Sequence, residues 1–230
     1  LGFLVSHKTL NGKPTSNKRY PKFSDLASLL RKVDNNNNVL PMIHYNSREE
    51  DNLADQLARV FEGIYQEGLC RAVQLNIVYP DVRQVSIFRE LMPDLKIVFQ
   101  ASGSVMDGKT PKELTKRISQ YGQAIDYVLI DPSGGAGKGF DLEKSLNIYE
   151  ELSCSLPDLK IGFAGGLTGE NVCNRVLDLR LRTRTASFCI DSEGGLRDKL
   201  SEEYGDDTLN LEKVRSYIKN SINGFKIIPN

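Results

Sequence analysis

The chain lacks an excess of either charge: its 30 Lys and Arg balance 30 Asp and Glu across 230 residues. A surface built for a polyanion needs one sign in excess, so a dominant nucleic-acid-binding role is excluded. No apolar run approaches the roughly 20 residues that cross a bilayer, and no secretory leader pattern is visible. The four cysteines, Cys70, Cys154, Cys173 and Cys189, form no CxxC pair. They therefore read as reduced and mostly structural, and a cytoplasmic location is expected. Histidine is scarce too, with only His7 and His44. No carboxylate cluster goes with them, so neither a metal nor a cofactor is expected.

What is present is alternation. Seven apolar runs recur: Leu1–Ser6, Val39–Tyr45, Ala72–Val78, Leu95–Phe99, Tyr127–Ile130, Lys160–Ala164 and Ala186–Ile190. Their length and β-branched character suit buried strands. Helical spacing fills the intervals. Leu26, Leu29, Leu30 and Val33 fall on one face of Ser24–Val33, and Leu53, Leu57, Val60 and Phe61 on one face of Asn52–Gln66. Gln84–Leu91, Pro111–Tyr121, Leu142–Leu152 and Gly169–Leu179 continue the pattern, and Leu209–Ile222 forms a last helix before a short apolar end at Phe225–Ile228. Strand then helix, repeated, predicts an α/β fold with a parallel sheet and right-handed crossovers. So many units, with glycine motifs after the late strands, favour a (β/α)8 TIM-type barrel over an open sheet, as a single domain over 1–230. Because Leu1–Ser6 is already strand-like, the printed sequence is expected to start inside that domain.

The chemistry concentrates in Asp126–Asp141, DYVLIDPSGGAGKGFD. A strand run ends on Asp131, a glycine-rich loop with Gly134, Gly135 and Gly137 follows, and Asp141 precedes a helical pattern. A carboxylate on a rigid strand end beside glycines that admit a ligand to the backbone makes an active-site edge. The same pattern also serves a plain connector, and Asp131 also suits an N-cap of the next helix.

The ordered motifs resemble one family. Leu1–Gly2–Phe3 with Asn17–Lys18–Arg19–Tyr20, Ala72–Val73–Gln74–Leu75, and Asp131 with its glycines, Phe140 and Asp141 match in order. So do Ala164–Gly165–Gly166–Leu167 with Glu170–Asn171–Val172, and Arg197–Asp198. Together they are similar to phosphoribosylanthranilate isomerase, a (β/α)8-barrel family of tryptophan biosynthesis. The chain departs from that pattern at three places. The family's first strand, with its Lys-Ile-Cys-Gly motif and catalytic cysteine, has no counterpart. Asn76 stands where the family has histidine. Ala186–Glu193 fits the eighth-strand pattern loosely. The barrel is accordingly expected with its first strand missing or substituted.

The resemblance implies an Amadori isomerisation of a phosphoribosyl amine, aldose to ketose. An acid protonates the ring oxygen and a base takes the C2 proton. It makes Asp131 the acid. It makes Gly165, Gly166 and the Asp191–Ser192–Gly194–Gly195 stretch a phosphate cradle, since backbone N–H groups and a helix N-terminus hold a dianion. Gln74, Gly134 and Gly135 are placed on the substrate by the same matches. Arg19 is implied to meet a carboxylate through two parallel hydrogen bonds, though it also suits a solvated basic loop. A base is then lacking. Phe3, Val5 and His7 fall on one face by alternation, as do Met42, His44 and Asn46. If both faces point inward, His7 and His44 can serve as the base; the alternative is a histidine bonded in a loop. Cys189 is expected in the core. Without a base, little isomerase activity is expected. The alternatives are another sugar-phosphate barrel enzyme (an aldolase, lyase or epimerase) and a non-catalytic relative. The expected partner is a phosphorylated small molecule, with no nucleic acid and no membrane, and the chain is expected as a monomer or homodimer.

Overall fold

The structure, a computed structural model, describes residues 1–34, 39–49, 51–133, 139–185, 187–203 and 205–227. Strand and helix alternate through β1 (Gly2–Ser6), α1 (His7–Leu10), α2 (Leu26–Asp34), β2 (Met42–Asn46), α3 (Leu53–Phe61), β3 (Ala72–Leu75), α4 (Val82–Leu91) and β4 (Lys96–Ser102). They continue with α5 (Gly103–Met106), α6 (Pro111–Ile118), β5 (Tyr127–Asp131), α7 (Leu142–Ser155), β6 (Lys160–Phe163), α8 (Val172–Thr183) and β7 (Cys189–Ile190). An antiparallel pair, β8 (Arg197–Lys199) and β9 (Asp207–Leu209), precedes α9 (Leu211–Lys226).

The class is α/β. β1 to β7 form one sheet in sequence order, with parallel pairing. Among the described residues the parallel strands number seven, one for each apolar run. No helix among the described residues is long and apolar enough to cross a membrane.

The residues group into two compact units. The first takes in 1–100, 120–127 and 203–206, the second 101–119, 128–202 and 207–230.

In the first unit, β2 alternates as its sequence requires. Ile43 and Tyr45 are fully buried, while Met42, His44 and Asn46 are partly covered. The Tyr45 hydroxyl donates to Gln56 Oε1 on α3 at 2.8 Å. Leu53, Leu57, Val60 and Phe61 are all fully buried on that helix, each contributing about 1.5–3 kcal/mol by burial. The helix stops at Phe61 rather than Gln66, because Gly63 turns the chain with φ +75°, a conformation that ends a right-handed helix. The 11–22 loop is tied down at Lys18, whose amide donates to Gly205 O at 3.1 Å and whose Nζ pairs with Asp206 at 2.6 Å.

In the second unit, Phe163 of β6 is fully buried and contacts Tyr149 of α7 and Phe188, with ring centroids 5.7 and 5.3 Å apart. Phe188 in turn meets Phe225 of α9 at 5.3 Å. The expected apolar end is thus the last turn of α9 as far as Lys226. Asn210 starts that helix by accepting from the Glu212 and Lys213 amides. Arg197 pairs with the buried Asp207 at 2.9 Å, while Asp198 meets Lys213 at 2.7 Å and Asn210 at 2.7 Å. The Arg197–Asp198 motif therefore holds the β8–β9 pair to the start of α9.

One partly buried charge sits where β5 begins. Asp126 accepts from the Ile97 amide at 2.9 Å and from Lys96 at 3.1 Å, and pairs with Arg89. Burial alone would raise its pKa, but the Ile97 amide, Arg89 and Lys96 outweigh that and hold it below the ordinary value. The stability this carboxylate contributes is present above the unfolded carboxylate pKa and is lost as pH falls through the lower folded one. Asp126→Asn is expected to destabilise the protein by about 1–3 kcal/mol at neutral pH. In urea titrations the gap to the wild type should close below about pH 4. A gap that persists in acid would mean that packing, not charge, makes the contribution.

Candidate active site

Two hydrogen bonds set the level of the strand ends in the second unit. The Ala164 amide donates to Ile130 O at 2.8 Å, and the Asp191 amide donates to Phe163 O at 2.9 Å. In a parallel ladder these bonds place Asp131, Ala164 and Asp191 side by side, at the carboxyl ends of β5, β6 and β7. One layer below, a methyl group on Gly162 would lie 2.5 Å from Cys189 Sγ and 3.0 Å from Leu129 Cδ1. Leu129, Gly162 and Cys189 therefore share a face. Two residues further on, Asp131, Ala164 and Asp191 share it too. Ala164, whose side chain is a single methyl, is the residue between the two in the ladder.

The loop after β6 lies against the first of them. Gly165 and Gly166 have φ of +94° and +76°, where a side chain is strained. A Cβ at Gly165 would sit 2.7 Å from Asp131 Oδ1 and 2.8 Å from Ser133 Oγ. Ser133 donates to Asp131 Oδ1 at 2.9 Å. The loop is pinned by Asn171, which donates to Gly166 O at 2.9 Å and accepts from the Thr168 amide at 2.9 Å. Ser192 Oγ donates to Leu167 O at 2.7 Å, and a side chain on Gly195 would collide with that same carbonyl. The loops after β6 and β7 are thus fastened to each other.

Asp131 is buried, with 6% exposure, and Asp191 is half-buried. Burial first, then the charges of Glu193 and Asp131, push the Asp191 carboxyl up to about 6. A carboxylate with such a pKa works in proton transfer near neutrality.

The other predicted residues fall as follows. Asp141, not Asp131, caps the helix that follows, accepting from the Lys144 amide at 3.1 Å. Gly134 and Gly135 lie outside the described residues. Gly194 is exposed and opens a 3-10 turn, Gly194–Leu196. Cys189 is exposed rather than in the core; it lies on the two-residue β7, one layer below Asp191.

In the first unit, Leu4 pairs with His44 and His44 with Gln74. Leu4, His44 and Gln74 therefore share a face, and Phe3 and Val5 take the other. The expected grouping of His7 with His44 fails for a second reason: Ser6 accepts from the Thr9 amide and caps α1, so His7 is helical and strand alternation does not reach it. Gln74 is buried and donates to Gln100 Oε1 at 3.1 Å. Arg19 is half-buried, and its amide donates to Asn17 Oδ1 at 3.0 Å. Ser133 and Asn171 are the site residues that sequence reasoning missed. Their signals were a hydroxyl two residues after a carboxylate, and an amide three residues after Thr168 at a helix start. Among the described residues no group of three or more His, Cys, Asp or Glu is placed to hold a metal ion.

No family model matches the chain. One curated relative, N-(5'-phosphoribosyl)anthranilate isomerase of Methanoregula boonei, is 30% identical over 94 residues, 39% of this chain and 46% of that protein. The match thus spans about half of the relative's length. Among solved structures, the catalytic domain of a hyperthermophilic chitinase from Pyrococcus furiosus has TM-score 0.56 at 14% identity, over 100% of this chain and 87% of that one. A Rubisco-like protein from Rhodopseudomonas palustris has TM-score 0.55 at 13% identity, over 96% and 55%. D-Psicose 3-epimerase has TM-score 0.52 at 10% identity, over 97% and 86%. At these identities the likeness is one of fold, and the fold is of the TIM-barrel type.

Two substitutions probe this corner. Gly165→Ala meets both the positive φ and the Asp131–Ser133 pair, whereas Gly63→Ala meets a positive φ with nothing within 4 Å. Gly165→Ala should therefore cost more than the ~1 kcal/mol of the backbone alone, and more than Gly63→Ala in the same denaturant titration.

The second is Asp191→Asn. Because the folded pKa of Asp191 lies above the unfolded one, the wild type loses stability as pH rises from about 4 through about 6. Asp191→Asn should be more stable than wild type by about 1–3 kcal/mol at pH 7.5, and equal to it near pH 4. Equal stability at both pH values would show that Asp191 carries no penalty.

Proposed function

We propose that this chain is a phosphoribosylanthranilate-isomerase-like protein with a (β/α)8-type barrel, acting on a phosphoribosyl amine by aldose–ketose isomerisation. The observation that carries the reading is the Gly165–Gly166 loop resting on the Asp131 carboxyl oxygen at the strand ends. The reaction needs an anion held beside an acid. Backbone amides of a glycine loop and the N-terminus of α8 suit a phosphate dianion without a basic side chain. Asp131, on a rigid strand end, suits protonation of the ring oxygen, and Ser133 fixes its orientation. The 30% identical isomerase supports the choice of substrate.

A second reading draws on the Asp131–Asp191 pair. Two carboxylates on one face and at one level also serve an aldolase, lyase or epimerase acting on another sugar phosphate.

The test follows the loss of anthranilate-type fluorescence when phosphoribosylanthranilate is added. Turnover by the wild type that falls about 10²–10⁴-fold in Asp131→Asn supports the isomerase reading. Phosphate affinity should be abolished in a folded Gly166→Asp variant by added bulk and like charge. Wild-type turnover of other sugar phosphates but not of this one would favour the second reading, and unchanged phosphate affinity in Gly166→Asp would refute the cradle.

A further inference from the structure

The isomerase reading leaves one proton unassigned. Protonation of the ring oxygen falls to Asp131, but the C2 proton needs a base on the other side of the sugar. The base is sought within the second unit, which holds Asp131 itself. Within the second unit, the group that shares a face and a level with Asp131 is Asp191, across Ala164. We propose that Asp191 is the catalytic base that takes and returns the C2 proton.

The spacing suits the task. Two strand intervals of about 4.8 Å separate the backbones of β5 and β7. A sugar ring held within about 3 Å of a carboxylate at each end fills a gap of that order. Ala164 is the residue between them in the ladder, and a larger side chain at that position would stand between the carboxylates.

The step balances without any co-reactant. In the proposed step the pair of carboxyls holds one proton; it passes from Asp131 to the ring oxygen as the C1–O bond breaks, and the pair of electrons goes to that oxygen. Asp191 takes the proton from C2, leaving an enolamine between C1 and C2. Asp191 then returns the proton to C1, and the C2 hydroxyl proton goes to Asp131. C1 is reduced and C2 oxidised within one molecule, and both carboxyls end as they began.

The surroundings of Asp191 agree. Glu193 on its own segment faces it with like charge, as Asp131 on β5 does once its proton has left, and Tyr217 reaches it from α9. The phenol of Tyr217 is pushed up, first by burial and then by the charge of Asp191, so it stays neutral beside the carboxylate. With its carboxyl raised to about 6, Asp191 is a stronger base than an ordinary aspartate and is still ionised at neutral pH.

This assignment rests on the isomerase reading, and the experiment separates the two. Steady-state kinetics with phosphoribosylanthranilate are measured across pH for wild type, Asp191→Asn and Asp191→Glu, with substrate carrying hydrogen or deuterium at C2. Binding of the reduced product is followed by fluorescence, and each fold is checked by denaturation. Support consists of a fall in kcat of about 10²–10⁴-fold in Asp191→Asn, with product binding retained and partial recovery in Asp191→Glu. The wild type should also lose activity as pH falls through about 6, a limb absent from Asp191→Asn. A folded Asp191→Asn that keeps kcat within about tenfold overturns the assignment while the isomerase reading stands. So does a loss confined to KM and product binding, which would make Asp191 a binding group. No turnover by the wild type overturns both.

Discussion

The hydrogen-bond register of β5, β6 and β7 is the constraint on which the site depends. The two amide bonds, from Ala164 to Ile130 and from Asp191 to Phe163, are what bring two distant carboxylates to one level. Side chains alternate with a period of two along a strand, so a slip of one residue in either pairing would turn one aspartate to the opposite face. The register is held by burial on the covered face. Val128, Ile130 and Phe163 are fully buried there, and any slip would expose them. The packing of the apolar face thus fixes the geometry of the polar one.

The fastening of the loops follows from the same register. Once Ala164 is level with Asp131, the next backbone step must pass directly over the carboxylate, and only a residue without Cβ fits. The loop then leaves toward α8, where Asn171 holds both Gly166 and Thr168. Ser192 and Gly195 close on the Leu167 carbonyl from the far side. Each contact is a modest one, about 1 kcal/mol for a neutral hydrogen bond. Their common effect is to fasten the loops after β6 and β7 to each other. The raised pKa of Asp191 works against folding, and such opposed environments are typical of places where chemistry rather than stability has shaped the residues.

Much of this could be read in the residues. The strand runs, the termination of a strand at Asp131 and the glycine pair after Lys160–Ala164 are local patterns, carried by a few consecutive side chains. Asp141 as the start of a helix is equally local, because a carboxylate bonds the amide three residues on. The level of Asp131 with Asp191 is not local. It depends on the pairing of three segments spaced along the chain by about thirty residues each, and spacing does not encode pairing. His7 shows the opposite failure. Alternation was a sound rule inside β1, but Ser6 and Thr9 cap each other and turn the chain into a helix one residue too early for it to apply. Cys189 reads as a core residue by its strand parity with Asp191, but β7 has only two paired residues and leaves it exposed.

The two accounts of the glycine loop can be separated on physical grounds. A plain connector between β6 and α8 requires a turn, and the positive φ at Gly165 and Gly166 meets that requirement. A connector requires no particular neighbour, and Gly63 is such a case, with a positive φ and open space where its side chain would be. Gly165 is different, because its missing side chain leaves room for a carboxyl oxygen and a serine hydroxyl that are bonded to each other. Buried carboxylates are costly unless they are engaged, so a chain needing only a turn has no reason to end the neighbouring strand on one. The close approach at Gly165 makes sense when Asp131 is itself what the loop is built around.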